Sequence, residues 1–249
     1  MRALMLVVLL SFAVPSYANE KLVGSNVDVR TTIAFKVSDA AVQQLVPEGW
    51  DISPPAAGPI AGSNVFVVLI DSFSNTGAEG SPAAPFRGVV LAIPVKKKGA
   101  IPAVIMVVYG ITAKEGVPGA YGNYVPGRAS IERMERFSTD GKATADETWL
   151  FKTEDGNAVD VHVEYERGRM AQSKIEQQIH SGAKPEFFRI YRVNQVAEIL
   201  RSTATGADRV SKFSFKATGA KLAPLFDGSE RLIGIISTPS YSRTIFLPD

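Results

Sequence analysis

Strict alternation of apolar and polar residues is the clearest pattern in this chain. From position 27 to 37, apolar residues and one threonine occupy the odd positions, and mostly polar residues occupy the even ones. Positions 159–166 repeat the pattern. Because the side chains of a strand point alternately to its two faces, this period of two predicts half-buried strands. The continuous apolar runs at residues 65–70, 88–95 and 104–109 instead predict strands that are buried on both faces.

Turn signals connect these strands at short intervals. Asp140-Gly141 and Asp155-Gly156 are dipeptides typical of tight hairpin turns in an antiparallel sheet. Ser38 predicts the N-cap of one short helix that ends before Pro47. Residues 131–137 and 187–200 fit either a strand or a helix. We interpret the polar stretch 170–184 as an exposed connection, and the small-residue stretch 75–85 as a mobile one.

The number of strands predicts the fold class. Many strands without an internal repeat or a linker indicate one mainly β domain with a few short helices. Antiparallel strands in this number are expected to form a closed or nearly closed barrel. The chain has 249 residues, of which 45% are hydrophobic and 21% charged, so it is long enough for one large core of this kind.

The first 18 residues do not fit this pattern. Arg2 gives a positive start, residues 3–14 form an apolar run too short to cross a bilayer, and small residues end the stretch at Ala18. We therefore predict a secretory signal peptide over residues 1–18 and a mature domain over residues 19–249, in the periplasm or secreted. Cleavage would leave no integral membrane segment. The chain has no cysteine, so its core must stabilise it without disulfides.

Charge and histidine content argue against a nucleic-acid-binding protein and against a metal site. The chain has 27 basic and 25 acidic residues, a formal net charge of +2, so we expect no nucleic-acid partner. His162 lies beside Asp160 and Glu164 on the polar side of a strand. We interpret this as a solvated strand face and predict no metal site. No motif in the chain predicts a cofactor.

The stretch at residues 119–128 is the strongest candidate for a binding site. It combines three glycines and a proline with Tyr121, Tyr124 and Arg128, and it follows two apolar runs. Strands that lead into such a loop are typical of a barrel wall and its mouth, where small-molecule sites are common. An ordinary surface loop is the alternative interpretation.

Several short motifs together carry a resemblance to a known family. Their order and spacing resemble the acetoacetate decarboxylase-like superfamily, over residues 27–248 of this chain. The resemblance implies a single-domain antiparallel β-barrel that forms at least a dimer, and it favours a strand at residues 187–200. The motifs are Val46-Pro47-Glu48, Ala92-Ile93-Pro94-Val95, Val125-Pro126 and Ala223-Pro224-Leu225.

The same resemblance implies that the family's reactive groups are missing. In the family, a lysine after the proline of the loop forms a Schiff base with the substrate, and this position corresponds to Gly127. The family's glutamate before the Ile-Pro-Val segment corresponds to Gly88. Its arginine on the first strand falls near Asp28, with Arg30 two residues further on. Glycine cannot form an imine, so we expect no decarboxylation of the family type.

These observations leave three hypotheses. The first is an exported barrel that binds a small organic ligand, either an oxo acid or an apolar molecule, through Arg30, Tyr121, Tyr124 and Arg128. Arginine can bind a carboxylate with two hydrogen bonds, and tyrosine offers an apolar ring with a polar tip. The second is an enzyme of the same fold with hydrolase, aldolase or dehydratase chemistry, or a decarboxylase that uses a different lysine. The third is an interaction protein in which the barrel is only a scaffold.

Overall fold

The computed structural model describes residues 20–100 and 102–248, so the predicted signal peptide lies outside the described residues. Strands dominate the fold, which confirms the predicted mainly β class. The first seven strands are β1 (Lys21–Lys36), β2 (Trp50–Ile52), β3 (Val65–Gly77), β4 (Pro82–Ala83), β5 (Phe86–Lys97), β6 (Val104–Thr112) and β7 (Tyr124–Phe137). The remaining strands are β8 (Ala143–Thr153), β9 (Ala158–Glu166), β10 (Ala171–Ser181), β11 (Phe188–Ser202), β12 (Ala207–Asp208), β13 (Val210–Thr218) and β14 (Arg231–Leu247).

Seven strands pair into a closed ring. The pairings run in the order β6, β10, β11, β14, β1, β3, β5 and back to β6. All of them are antiparallel except the short parallel contact between β6 and β10. A second group of strands, β7, β8, β9 and β13, branches from the ring through a parallel contact between β6 and β7. The sheet is therefore mixed at β6, where the sequence predicted only antiparallel pairing.

Strands β3 and β5 face the interior of the ring on one side and the main core on the other, which explains their continuous apolar runs. On β3, Val67 and Leu69 pack in the main core together with Trp149 and Phe151 of β8. The alternate residues of β3 point into the ring. Because both faces of β3 and β5 are covered, nearly every residue in these runs is apolar.

Strand β1 has the same two faces, but its ring face is polar. Ile33 and Phe35 belong to the main core, whereas Arg30 and Thr32 face the interior of the ring. The alternation in the sequence was therefore a correct signal for a strand. Its polar face meets an internal cavity.

Four sequence-based boundaries were wrong. Strand β7 begins at Tyr124, so the second half of the predicted 119–128 loop is strand. Residues 170–184, predicted as an exposed connection, contain β10. Residues 75–85 hold the end of β3 and its partner β4, where we expected mobile chain. The last two predicted strands are one strand, β14, which continues through Pro239.

The helical part of the fold is small. The short helix α1 (Asp39–Gln43) follows Ser38, as predicted, and buries Val42 in the main core. A 3-10 turn, Lys114–Gly116, follows β6. Among the described residues, no helix has the length and the apolar character needed to cross a membrane.

Candidate functional site

The interior of the ring is a cavity of about 570 Å³. This volume is in the range of pockets that enclose small organic molecules. All seven strands of the ring contribute lining residues. Tyr121 in the turn before β7 and Tyr124, the first residue of β7, also line the cavity. The apolar wall comes from β3, β5 and β6, and it consists of Phe66, Val68, Ile70, Val90, Ala92, Ile105 and Val107.

Three arginines line the opposite wall: Arg30 on β1, Arg189 on β11 and Arg243 on β14. Arg30 forms an ion pair with the fully buried Asp28, and its Nε donates to Asp28 Oδ2 at 2.9 Å. Among the described residues that line the cavity there is no aspartate, glutamate, histidine or lysine. Asp28 offsets part of this positive charge, and the three arginines of the lining make the cavity favourable for an anionic group.

Asp28 is held in its ionised form. Burial by itself would raise the pKa of this carboxyl, but the charges of Arg30 and Arg243 and the hydrogen bonds from Ser72 and Arg30 outweigh burial. The net result is a pKa below the ordinary value. Asn26 also donates a hydrogen bond to this carboxylate. The ion pair fixes Arg30 at the cavity wall.

Aromatic rings orient two of the guanidinium groups. The Arg30 guanidinium carbon lies 3.5 Å from the centre of the Tyr241 ring. The corresponding carbon of Arg243 lies 4.1 Å from the centre of the Tyr191 ring, and Arg243 Nε donates to Asn26. Stacking on a ring restricts a guanidinium without using up its hydrogen-bond donors. Both groups therefore keep donors available for a ligand.

The tyrosine hydroxyls complete the polar wall. The hydroxyls of Tyr121 and Tyr191 form a hydrogen bond with each other. Burial, followed by the neighbouring Tyr191, raises the pKa of Tyr121 well above its ordinary value, so this phenol is neutral and can donate a hydrogen bond. Tyr241 Oη and Arg189 Nε are buried without a hydrogen-bond partner among the described residues. Buried polar atoms normally have a hydrogen-bond partner, and a ligand in the cavity could supply the partner that these two atoms lack.

No family profile and no curated protein sequence matches the chain, but several solved structures have a similar fold. An acetoacetate decarboxylase-like enzyme from Sphingomonas wittichii RW1 superposes with a TM-score of 0.54 at 10% identity, covering 92% of this chain and 93% of the other. The enduracididine biosynthesis enzyme MppR, in complex with the condensation product of pyruvate and imidazole 4-carboxaldehyde, gives 0.53 at 11% identity, with 90% and 87% covered. Acetoacetate decarboxylase from Legionella pneumophila gives 0.51 at 11% identity, with 100% and 96% covered.

The chain has an acetoacetate decarboxylase-like fold. At identities of 10–11% the likeness establishes the architecture only, so the chemistry of the site has to be read from this chain's own residues.

Within this acetoacetate decarboxylase-like fold, three of the four predicted binding residues lie together. Arg30, Tyr121 and Tyr124 all line the cavity. Arg128 does not, since it is exposed on β7 opposite Lys152. The reason is that β7 begins at Tyr124, contacts β6 as far as Pro126, and from Gly127 onward pairs with β8.

The two glycines that the resemblance aligned with reactive residues lie outside the cavity lining. A Cβ added to Gly127 would overlap Ile111 Cγ2 and lie 2.8 Å from the Lys152 carbonyl oxygen. A Cβ on Gly88 would lie 2.7 Å from the Ile111 carbonyl oxygen and 2.8 Å from Phe86 Cζ. Such distances leave no room for a side chain at either position. Ile111 belongs to the main core, so position 127 faces the core.

Sequence reasoning missed the cavity residues on β11 and β14. These strands carry Arg189 and Tyr191, and Tyr241 and Arg243, in both cases with a spacing of two. Residues separated by two share one face of a strand. An arginine and a tyrosine on the same face of a mainly apolar strand would have been a usable signal.

One group of side chains outside the cavity has metal-ligand character. On the outer face of β8 and β9, His162 Nε2 lies 3.0 Å from Asp146 Oδ1 and 3.4 Å from Glu164 Oε1. Lys212 Nζ lies 3.3 Å from the same Glu164 oxygen and offers a positive charge to it. The sequence-based expectation of no metal at this position stays a prediction.

A second buried carboxylate joins the ring to the other sheet. Glu147 on β8 accepts hydrogen bonds from Thr31 Oγ1 at 2.8 Å, Trp149 Nε1 at 2.9 Å and Tyr165 Oη at 2.7 Å. Its side chain is not among the residues that line the cavity. The contact from Thr31 of β1 to Glu147 therefore has a structural role between the two layers.

Proposed function

We propose that this chain is an exported binding protein with an acetoacetate decarboxylase-like fold, which holds a small organic acid in its ring cavity without forming a Schiff base. One observation carries the proposal: three arginines and no lysine line the cavity among the described residues. An imine requires a lysine amine, whereas a carboxylate is well matched by guanidinium groups.

The charge distribution supports an anionic ligand group. Arg30 is already paired with Asp28, so Arg243 and Arg189 supply the uncompensated positive charge. Neither Arg243 nor Arg189 has an ion-pair partner among the described residues. A buried cation without an acidic partner is costly, and an incoming carboxylate removes that cost.

The apolar wall supports an organic body on the ligand. The side chains of β3, β5 and β6 that face the cavity are aliphatic or aromatic, and they lie across from the arginines. A cavity of about 570 Å³ is larger than a two- or three-carbon acid requires. We infer a carboxylate that carries an apolar chain or ring. A solved structure of MppR in complex with pyruvate has the same fold, at 12% identity and a TM-score of 0.51, which is consistent with a carboxylate in such a cavity.

The cavity gives less support to the enzymatic alternatives. The hydroxyl pair of Tyr121 and Tyr191 offers a neutral donor for a carbonyl oxygen. A hydrolase, aldolase or dehydratase also needs a base, and no carboxylate or histidine lines the cavity among the described residues. A decarboxylase that uses a different lysine lacks that lysine in the same lining. Binding is therefore the function that we prefer.

Isothermal titration calorimetry tests the proposal directly. The mature chain is titrated with pyruvate, 2-oxooctanoate, octanoate and 1-octanol. We expect the eight-carbon acids to bind, and octanol to bind at least about tenfold more weakly because it lacks the charged group. Arg243→Gln is expected to weaken octanoate binding by roughly tenfold to a hundredfold, since a hydrogen bond between charged groups is lost. Arg128→Gln, which changes an exposed arginine outside the cavity, is the matched control.

Two results would overturn the proposal. Equal binding of octanol and octanoate would mean that the arginines do not recognise the ligand. A stable mass adduct after incubation with an oxo acid and borohydride would mean that a lysine of this chain forms an imine. The mass of the exported protein checks the predicted cleavage after Ala18 in the same experiment.

A further inference from the structure

Strand β7 has one open edge. On one side, residues 127–137 pair with β8 along their whole length. On the other side, β7 contacts β6 only through Tyr124, Val125 and Pro126. Within residues 20–100 and 102–248, no strand covers this side of β7 beyond Pro126. We call residues 127–137 the open β7 edge.

The open β7 edge has only part of the usual protection of an edge strand. Natural edge strands are kept apart by charged side chains, especially lysine, and by prolines, bulges or short length. The open β7 edge has charged side chains of both signs but no lysine or proline, and its pairing with β8 shows no register shift. Met134 and Phe137 are 52% and 77% exposed, which is unusual for large apolar side chains. An edge of this kind is a template for pairing with another strand.

The sequence of the edge is complementary to itself. If two copies pair antiparallel about a two-fold axis at Met134, Glu132 lies opposite the partner's Arg136 and Arg136 lies opposite the partner's Glu132. Met134 then faces its own copy, and Ile131 faces the partner's Phe137. Directly opposed charges of opposite sign and apolar pairs both stabilise an antiparallel sheet.

Other registers of two antiparallel β7 edges do not bring complementary residues opposite each other. The backbone groups of a strand point alternately to its two edges, so a symmetric antiparallel pair must have its axis at a residue. An axis at Arg133 would place Glu132 against Met134, and an axis at Glu135 would place Met134 against Arg136. An axis at Glu132 would place Arg128 against Arg136, two like charges. Within the edge, the axis at Met134 alone places both glutamates opposite arginines.

Within one chain, the charges of Glu132 and Arg136 are not used in ion pairs with other described residues, so both can pair with a second copy. Arg133 Nη2 donates to Asp71 at 2.6 Å, and Glu135 pairs with Arg167, so these two side chains are already satisfied on one face of β7. Glu132, Met134 and Arg136 lie on the other face. Neither Glu132 nor Arg136 forms an ion pair with any described residue.

We propose that two copies of this chain associate through the open β7 edge, with the two-fold axis at Met134. The strands β7, β8, β9 and β13 of each copy then form one continuous sheet across the dimer. The charge pairs between Glu132 and the partner's Arg136 fix the register, and the pairing covers Met134 and Phe137.

Charge exchange on the open β7 edge tests this dimer. Sedimentation velocity of the wild-type protein at tens of micromolar is expected to show a dimer. Glu132→Arg and Arg136→Glu are each expected to give monomers, because both pairs between positions 132 and 136 are then of like charge. The double variant Glu132→Arg/Arg136→Glu restores opposite charges and is expected to dimerise. A mixture of the two single variants is expected to form only the mixed dimer.

The controls separate this interface from others. Lys216→Glu reverses an exposed charge on β13, at the far edge of the same sheet, and is expected to leave the dimer intact. Circular dichroism of each variant confirms that the exposed substitutions keep the fold. A monomeric wild type over the whole concentration range would overturn the proposal. Single variants that stay dimeric, or a dimer lost only in Lys216→Glu, would also overturn it.

Discussion

The guanidinium carbon of Arg30 lies 3.5 Å from the centre of the Tyr241 ring. The same guanidinium also neutralises the fully buried Asp28. Arg30 therefore has two roles, since it presents a positive face to the cavity and compensates a charge that burial would otherwise penalise.

Removal of Arg30 is expected to destabilise the protein. Arg30→Met leaves Asp28 buried without its closest cation, which costs about 3–5 kcal/mol in the free energy of unfolding. The second substitution Asp28→Asn should restore part of this loss because it removes the unpaired charge. Urea denaturation measures both effects, with the exposed Arg128→Met as a control that changes stability by no more than about 0.5 kcal/mol. An Arg30→Met protein as stable as this control would show that the ion pair is unimportant.

The ionisation of Asp28 predicts how stability depends on pH. Its native pKa lies below the ordinary value of 3.8, because nearby arginine charges and hydrogen bonds outweigh the effect of burial. The carboxylate therefore contributes its full stabilisation above the unfolded pKa, and loses it as the pH falls through the lowered native pKa. We expect the melting temperature of wild type to exceed that of Asp28→Asn at pH 6, and the difference to shrink below pH 3.8. A difference that does not change with pH would contradict this assignment.

The two buried tyrosine hydroxyls of Tyr241 and Tyr165 should behave differently. Tyr241 Oη has no hydrogen-bond partner among the described residues, whereas Tyr165 Oη donates to Glu147 at 2.7 Å. Tyr241→Phe should leave the stability of the ligand-free protein unchanged or slightly higher, and weaken octanoate binding. Tyr165→Phe should lower the free energy of unfolding by about 1–3 kcal/mol, because Glu147 loses a donor, and leave binding unchanged. Thermal denaturation and calorimetry on both variants separate the two roles, and equal effects would refute the distinction.

A lysine at position 127 is not expected to restore Schiff-base chemistry. A side chain there would meet Ile111 and the Lys152 carbonyl oxygen, so Gly127→Lys should destabilise the protein, by about 1–3 kcal/mol for the overpacking alone. Borohydride trapping with acetoacetate, followed by mass measurement, should show no adduct. Ser130→Lys, on the exposed part of the same strand, controls for an added lysine. An adduct formed by Gly127→Lys alone would show that position 127 reaches the cavity.

The sequence predicted the fold better than the site for a physical reason. Period-two patterns identified β1 and β9 because alternation depends only on which residues are apolar. The same pattern cannot tell whether the polar face meets solvent or a polar cavity, and so the buried ion pair of Asp28 and Arg30 was not recognised. Strand β10 was missed because Gln177 interrupts its apolar face, although Ile175, Gln177 and Ile179 all line the cavity.

The residues that line the cavity were predicted only in part, because the cavity combines distant segments. Tyr121 and Tyr124 belong to a short stretch with a distinctive composition, which drew attention to them. Arg243 comes from the last strand of the chain and Arg189 from β11, and only the ring closure brings them close to Arg30. The sequence pattern predicted a closed or nearly closed barrel, but it does not show which residues the closure brings together.

The two sides of the cavity differ in what lies behind them. Behind the residues of β3 and β5 that face the cavity is the main core, packed against Trp149 and Phe151. Behind much of β10 is solvent, since its outward residues are exposed. A substitution on the first side alters cavity shape and core packing together, whereas one on the second alters the cavity alone. The shape of the cavity can therefore be changed mainly through β10, with little effect on thermal stability.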